Sequence, residues 1–346
     1  MAAYTTIDDA GSFFNPVLYT GTGTTHTITG VGFQPDFVWA KSRSSGQDPR
    51  AIDAVRGGDK VLYPSLNNAA ATDSELITSF NSDGYVMGTS GTNANDNTVT
   101  YVSWNWKMGT TSGLSGGTIT PSAYSISATA GQSVLAYTGN NTSGATIPHG
   151  LGVTPGLIIC KRLDGADNWW VHVESLTGPQ YMVLNSTGAV ASATAVFNDT
   201  LPGATLFTIG NDAGINASGG TYIAYCFAPV QGYSKFGKYM GNGNADGTFV
   251  YTGFRPAFVM GKIQDGTDSW HMWDDKRDVD NPVERRLEAN SSGAEHTTID
   301  WLDFVSNGFK HRYGGGGNNN SGSTYLYMAF ADSPLVNSNG VPNNAH

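Results

Sequence analysis

The chain has 346 residues, 45 of them glycine, and its 28 acidic and 18 basic side chains leave a formal net charge of −10. Charged residues make up 13% of it, against roughly 25% in an average soluble protein. It is therefore poor in the Glu, Lys and Arg that long amphipathic helices use, and a helical bundle or coiled coil is excluded. The acidic balance and the lack of a basic stripe exclude binding to nucleic acid through its phosphates.

Eight Trp, 16 Tyr and 15 Phe within a hydrophobic content of 39% supply ample core material. No run reaches the ~20 apolar residues of a membrane span. The opening stretch, Met1 to Asp9, has neither a positive n-region nor an apolar h-region, which predicts a product made in the cytoplasm without a cleaved signal. Cys160 and Cys226 are too few for a disulfide framework or a thiolate metal site and read as small buried hydrophobes.

In chain order, the same elements recur three times. The first set runs Tyr19-Thr-Gly21, Gly32-Phe-Gln-Pro35-Asp-Phe-Val-Trp-Ala-Lys41, Gly84-Tyr85 and Tyr101-Val-Ser-Trp-Asn-Trp106. Tyr137-Thr-Gly139, Gly152-Val-Thr-Pro155-Gly-Leu-Ile-Ile-Cys-Lys161 and Tyr222-Ile-Ala-Tyr-Cys-Phe227 form the second. The third has Tyr239-Met-Gly241, Gly253-Phe-Arg-Pro256-Ala-Phe-Val-Met-Gly-Lys262, Gly308-Phe309 and Tyr325-Leu-Tyr-Met-Ala-Phe330. Proline and lysine are 6 residues apart in every set, and proline and the following tyrosine 66, 67 and 69 apart. Landmarks separated by 120 and 101 residues mark copies of a domain-sized unit rather than a solenoid repeat.

Each copy opens a β-favouring run just after its proline, which suits the first residue of a strand. Each ends in a segment with aromatics or Met on alternate positions, the period of a strand with two distinct faces. Gly- and Asn-rich tips precede that last strand at Asn93 to Asn97, Asn216 to Gly220 and Gly314 to Gly322, and both residue types tolerate positive φ. The predicted fold is all-β: three tandem, jelly-roll-like β-sandwich domains of about 100 residues. They span 16–117, 118–231 and 232–335, between an N-terminal arm (1–15) and a C-terminal tail (336–346). Short helices are expected only at Thr72 to Phe80 and Pro282 to Ala289. The Gly/Ser/Thr-rich linker 109–117 predicts more freedom for the first copy than the short join Pro229 to Gly232 gives the third.

Catalytic signatures are missing. The seven histidines show no zinc-protease spacing, and neither a nucleophile elbow nor a P-loop occurs; no cofactor and no metal is expected. The best carboxylate candidates, Asp274 and Asp275 with Glu284 or Glu288, fall in the most charged stretch and read as a solvated loop. Asp164-Gly-Ala-Asp167 and Asp265-Gly-Thr-Asp268 read as tight turns ahead of Trp, short of the ligands a calcium loop needs. Trp39, Trp104 and Trp106 are framework. An exposed aromatic flanked by Asn, Asp and Ser can stack on a sugar ring while its neighbours bond the hydroxyls. The candidate glycan contacts are therefore Trp169, Trp170, Trp270 and Trp273, with the tip residues Asn216 and Asn319.

From Tyr4 to Pro342 the motifs Tyr-Thr-Gly, Gly-Phe-x-Pro-x-Phe-Val-x-x-Lys and Asn-x-Ser-Gly-x-Tyr-Ile-Ala-Tyr resemble a tandem-repeat tail-fibre or virion structural family of marine bacteriophages. The second copy matches the last of them as Asn216-Ala-Ser-Gly-Gly-Thr-Tyr222-Ile-Ala-Tyr225, with two residues between Gly219 and Tyr222, while Asp96-Asn-Thr-Val replaces its Ser-Gly in the first copy. The resemblance implies a virion surface protein assembled in the host cytoplasm, with other virion proteins and a host polysaccharide or receptor as partners, as a homotrimer, without catalysis or membrane insertion. A head-decoration or purely structural fibre protein and a polysaccharide depolymerase are the alternatives.

Overall fold

Among residues 3–89 and 94–343, which the computed structural model describes, regular structure is almost entirely antiparallel strand. Asn93, the first residue of the tip expected in copy 1, lies outside them. Copy 1 comprises β1 (Phe14–Thr20), β2 (His26–Ile28), β3 (Phe37–Ser42), β4 (Arg50–Asp53), β5 (Lys60–Val61), β6 (Ala71–Thr72), β7 (Ser79–Asn81), β8 (Gly84–Met87) and β9 (Thr100–Trp106). Copy 2 has β10 (Ala123–Ser127), β11 (Gln132–Thr138), β12 (Ala145–Pro148), β13 (Leu157–Arg162), β14 (Trp169–Val173), β15 (Gln180–Val183), β16 (Ala191–Ser192), β17 (Leu206–Ile209) and β18 (Thr221–Phe227). Copy 3 has β19 (Ser234–Met240), β20 (Phe249–Tyr251), β21 (Phe254–Ile263), β22 (His271–Asp274), β23 (Leu287–Glu288), β24 (Leu302–Val305), β25 (Gly308–His311) and β26 (Thr324–Pro334).

One topology recurs. The main sheets run β1-β9-β3-β4, β11-β18-β13-β14 and β19-β26-β21-β22, extended by β10, β15 and β16 in copy 2 and by β23 in copy 3. A small sheet lies beside each: β2-β8-β7, β12-β17 and β20-β25-β24. Strand alternation then decides the packing. In β13, Ile158 and Cys160 join copy 2's own cluster with Ile147 and Phe207 of its small sheet, while Leu157 and Ile159 face the other way. That second face belongs to a core common to all three copies, holding Phe37 and Trp39, Leu157 and Ile159, and Phe258 and Met260. Both cysteines are free and buried.

At the centre of the common core the last residues of the expected aromatic strands meet. Trp106, Phe227 and Phe330 form a near-equilateral triangle with centroids 5.9, 5.7 and 5.7 Å apart. Phe14 is the fourth ring, 4.9 Å from Trp106 and 5.0 Å from Phe330. The arm before it lies where copies 2 and 3 join: Tyr4 donates to the Gly253 carbonyl at 2.8 Å and Thr5 to that of Gln231 at 2.8 Å. Asp8 accepts the Ser338 N–H at 2.6 Å, which ties the two ends of the chain together.

The recurring lysines seal the joints between copies. Lys41 donates to the Ser291 carbonyl of copy 3 at 2.7 Å, Lys161 to Asn67 of copy 1 at 3.3 Å, and Lys262 to Thr187 of copy 2 at 3.2 Å. Three backbone bonds follow the same cycle, from the N–H of Ala70, Val190 and Glu295 to the carbonyls of Leu163, Gln264 and Arg43, at 2.8 to 2.9 Å. Side chains complete two of the joints in polar fashion. Tyr225 donates to Asp53, itself bonded to Arg56; Trp104 donates to Asp274, itself bonded to Arg277. At the third, Val173, Leu176 and Met328 occupy the corresponding places and are apolar.

Two expectations are corrected. The linker after copy 1 is pinned: Thr110 and Ile126 exchange backbone bonds at 2.9 and 3.0 Å, and Thr118 bonds to Thr146. Neither expected helix forms. Val283 and Arg286 pair with Leu302 and His296 in bridges, and β6 and β7 bracket a turn around Leu76; pairing with neighbours outweighs local propensity. The α-helices among the described residues are single turns, Thr194–Phe197 and Ala213–Asn216.

A common core predicts one cooperative urea transition for all three copies. Asp53→Ala leaves Arg56 buried and unpaired and should cost about 3–5 kcal/mol. The triple variant Asp53→Val, Arg56→Leu, Tyr225→Phe copies the third joint's apolar pair and should recover most of that loss. A triple variant no more stable than the single one would show that the polar joint cannot be exchanged for an apolar one.

Candidate functional site

The four tryptophans expected to face sugar are inside. Relative exposures are 2% for Trp169, 8% for Trp170, 3% for Trp270 and 1% for Trp273. Because the main strands are buried on both faces, even the consecutive pair Trp169-Trp170 is covered. Trp169 points to the common core, where its Nε1 donates to the Tyr63 carbonyl of copy 1 at 3.0 Å; Trp170 packs on Tyr181 within copy 2. Trp270 repeats the first contact one copy on, donating to the Val183 carbonyl at 3.0 Å. Trp273 lies edge-on to His271.

Asn216 and Asn319 are equally enclosed and have structural partners. Each side-chain oxygen accepts the backbone N–H just after the Tyr-x-Gly element: Asn216 from Asn140 at 2.8 Å, Asn319 from Asn242 at 3.0 Å. Asn95 does the same for Thr22 at 2.9 Å, so copy 1 keeps the device despite its divergent tip. Stacked tyrosines stand beside it in each copy, Tyr19 on Tyr101, Tyr137 on Tyr222 and Tyr239 on Tyr325, all at 5.1 Å. A Cβ at Gly21, Gly139 or Gly241 would strike the carbonyl of the opposing tip, which is why that position stays glycine.

The repeat lysines stand outside the predicted contact set. A charged residue at a fixed place in an apolar strand was their signal, and burial pushes each ammonium down to about 8. The Asp-Gly-x-Asp loops are turns whose first carboxylates cap the last strands: Asp164 accepts the Thr221 N–H and Asp265 that of Thr324.

Of the carboxylate candidates, Asp274 is committed to Arg277 and Trp104, and Glu288 to Arg286 at 3.0 Å. Glu284 is exposed. Asp275 differs from these. Burial, reinforced by the charges of Asp332 and Asp274, raises its carboxyl to about 7 against the opposing pull of Lys276 and Arg255. Arg255 lies 3.6 Å away and Lys276 3.8 Å. Lys276 and Asp332 line an open cleft of about 240 Å³ with Asp9 and Asn15. A carboxyl that exchanges its proton near neutrality is the chemically adjustable group of this region. Among the described residues, no three His, Cys, Asp or Glu side chains gather as metal ligands.

The family model described as a domain of unknown function (DUF7483) matches residues 9–334. No curated protein and no solved structure matches the chain.

Asp275 gives a pH prediction. Its folded pKa lies above the unfolded value of 3.8, so its contribution is full at low pH and is lost as pH rises through about 7. Asp275→Asn, which stays neutral, should gain melting temperature relative to the native chain between about pH 4 and pH 8. Parallel melting curves for the two proteins would refute the raised pKa.

Proposed function

We propose that this chain, which belongs to the DUF7483 family, is a bacteriophage virion surface protein, a tail-fibre or receptor-binding component that contacts host glycans and is not an enzyme. The observation that carries the reading is the use made of the shared motifs. The lysines and the aromatic triangle hold the three copies to one another, and the buried asparagines and stacked tyrosines hold the tips within each copy. The lysines, asparagines and tyrosines are among the residues through which the chain resembles phage tail-fibre repeats. They yield a rigid body whose outer loops are free to differ, as a display protein requires. No helix among the described residues is long and apolar enough to cross a membrane.

Burial of all six expected contact residues favours a second reading, a structural ornament without ligand. The depolymerase reading draws less support, since the candidate carboxylates other than Glu284 sit in ion pairs. Because the threefold arrangement is internal, we also propose that one chain supplies the symmetry for which the resemblance implies a homotrimer.

Immunogold labelling of phage particles should place the protein on their surface, and unlabelled particles would overturn the assignment. Light scattering on the purified chain should return the single-chain mass of 36.5 kDa; a threefold mass would restore the trimer.

A further inference from the structure

Comparison of the copies with one another isolates one surface. The outer face of copy 3's small sheet carries Phe249, Lys310 and Asp303 as one cross-strand row, and Tyr251, Gly308 and Val305 as the next. In copy 1 the first row is Thr27, Val86 and Ser79; in copy 2 the paired residues are Thr146 and Thr208. The inward residue between the two rows is aliphatic in every copy, Ile28, Ile147 and Val250. The framework thus fixes the inner face and makes no demand for aromatics on the outer one. Yet copy 3 holds two rings there, 46% and 47% exposed, against the usual cost of leaving such rings in water.

Polar groups frame the rings. Lys235 lies 5.1 Å from the Tyr251 ring centre and donates to its carbonyl at 2.8 Å. Tyr4 places its hydroxyl 3.5 Å from that of Tyr251. Lys310, beside Phe249, is ion-paired with Asp246. Beyond it, Arg312 bonds Asp303 at 2.6 Å, and these two line an open cleft of about 500 Å³ with Asp300 and Asn281. Gly308 leaves the second row low between the Tyr251 ring and β24.

We infer that this face is a saccharide-binding platform: Phe249 and Tyr251 stack on the apolar faces of two sugar rings of one glycan, and the Lys310, Asp303 and Arg312 rim bonds their hydroxyls. Three features select a saccharide. Charged groups flank the rings, Lys235 at Tyr251 and Lys310 across from Phe249, as a ligand with apolar faces and a hydroxylated edge requires. Asp246, Asp300 and Asp303 balance Lys235, Lys310 and Arg312 in charge, so a neutral ligand meets no net field. Half-exposed rings offer roughly 100 Å² apiece, far below the ~800 Å² per partner of a standard protein interface. The platform rests on the host-glycan reading above and gives it an address.

The test uses the full-length chain on a microarray of bacterial O-antigen and capsular polysaccharides, followed by titration with the strongest printed glycan. Phe249→Thr with Tyr251→Thr installs the residues that copy 1 carries at Thr27 and Thr29, so the melting temperature should hold while affinity falls about tenfold or more. Arg312→Gln, on the opposite rim, should weaken the same glycan and controls for any misfolding of the double variant. Undiminished binding by both variants would overturn the platform, as would absence of binding by the native chain to every glycan. Particles that carry the protein while it binds no glycan would refute the platform and leave the virion assignment standing. Glycan binding lost in the variants, by a protein absent from particles, would do the reverse.

Discussion

The contact of Trp106, Phe227 and Phe330 at one axis is the constraint from which the rest of the fold follows. Three sheets can bring their last strands together only if each turns a whole face inward, and each still has its own small sheet to cover on the other side. The main strands are consequently buried on both faces, and their polar groups need partners from protein rather than water. Lys41, Lys161 and Lys262 answer that need where two copies meet. Each ammonium reaches a carbonyl of the neighbouring copy.

The three joints solve one packing problem in two chemistries. Asp53 with Arg56 and Asp274 with Arg277 are ion pairs that also accept a proton donor from the adjoining copy, whereas Val173 and Leu176 meet that demand with apolar area alone. Buried ion pairs add little net stability over a well-packed apolar replacement, because desolvation offsets their attraction. What they add is selectivity. Tyr225 fits against Asp53 and Trp104 against Asp274, while an apolar Met328 in either place would leave the carboxylate short of a partner.

Much of this was legible in the sequence and some was not, for identifiable reasons. The strand that follows each proline and the alternating last strands gave the all-β class, since those signals are local. The common core was not legible, because a strand buried on two faces by two different partners looks like any short apolar run. For the same reason Trp169 and Trp170 both read as candidate glycan contacts. Polar neighbours such as Asp167 and Asn168 suggested solvent, yet they belong to the turn that leads into the strand. Asn216 and Asn319 were singled out as loop-tip residues, where Asn is common in turns and in ligand sites alike; only the bonds to Asn140 and Asn242 separate the two. The lysines could have been found, because a cation kept at one position of an apolar strand through three copies has to be satisfied from outside that strand.

Internal repetition also supplies a way to separate scaffold from function within a single chain. Positions held in common by all three copies answer to folding: the glycine under the opposing tip, the asparagine beside it, the lysine at the joint. A position that varies and is buried answers to its particular neighbours, as Asp53, Val173 and Asp274 do. A position that varies, is exposed and has gained apolar area answers to neither. Thr27 and Thr146 show that a strand with the same register and an aliphatic inward residue does without an aromatic there, so the fold does not require the Phe249 ring. By this reasoning the repeats, which made the fold readable, direct the search for a ligand away from the motifs that define them and toward the face on which copy 3 departs from its sisters.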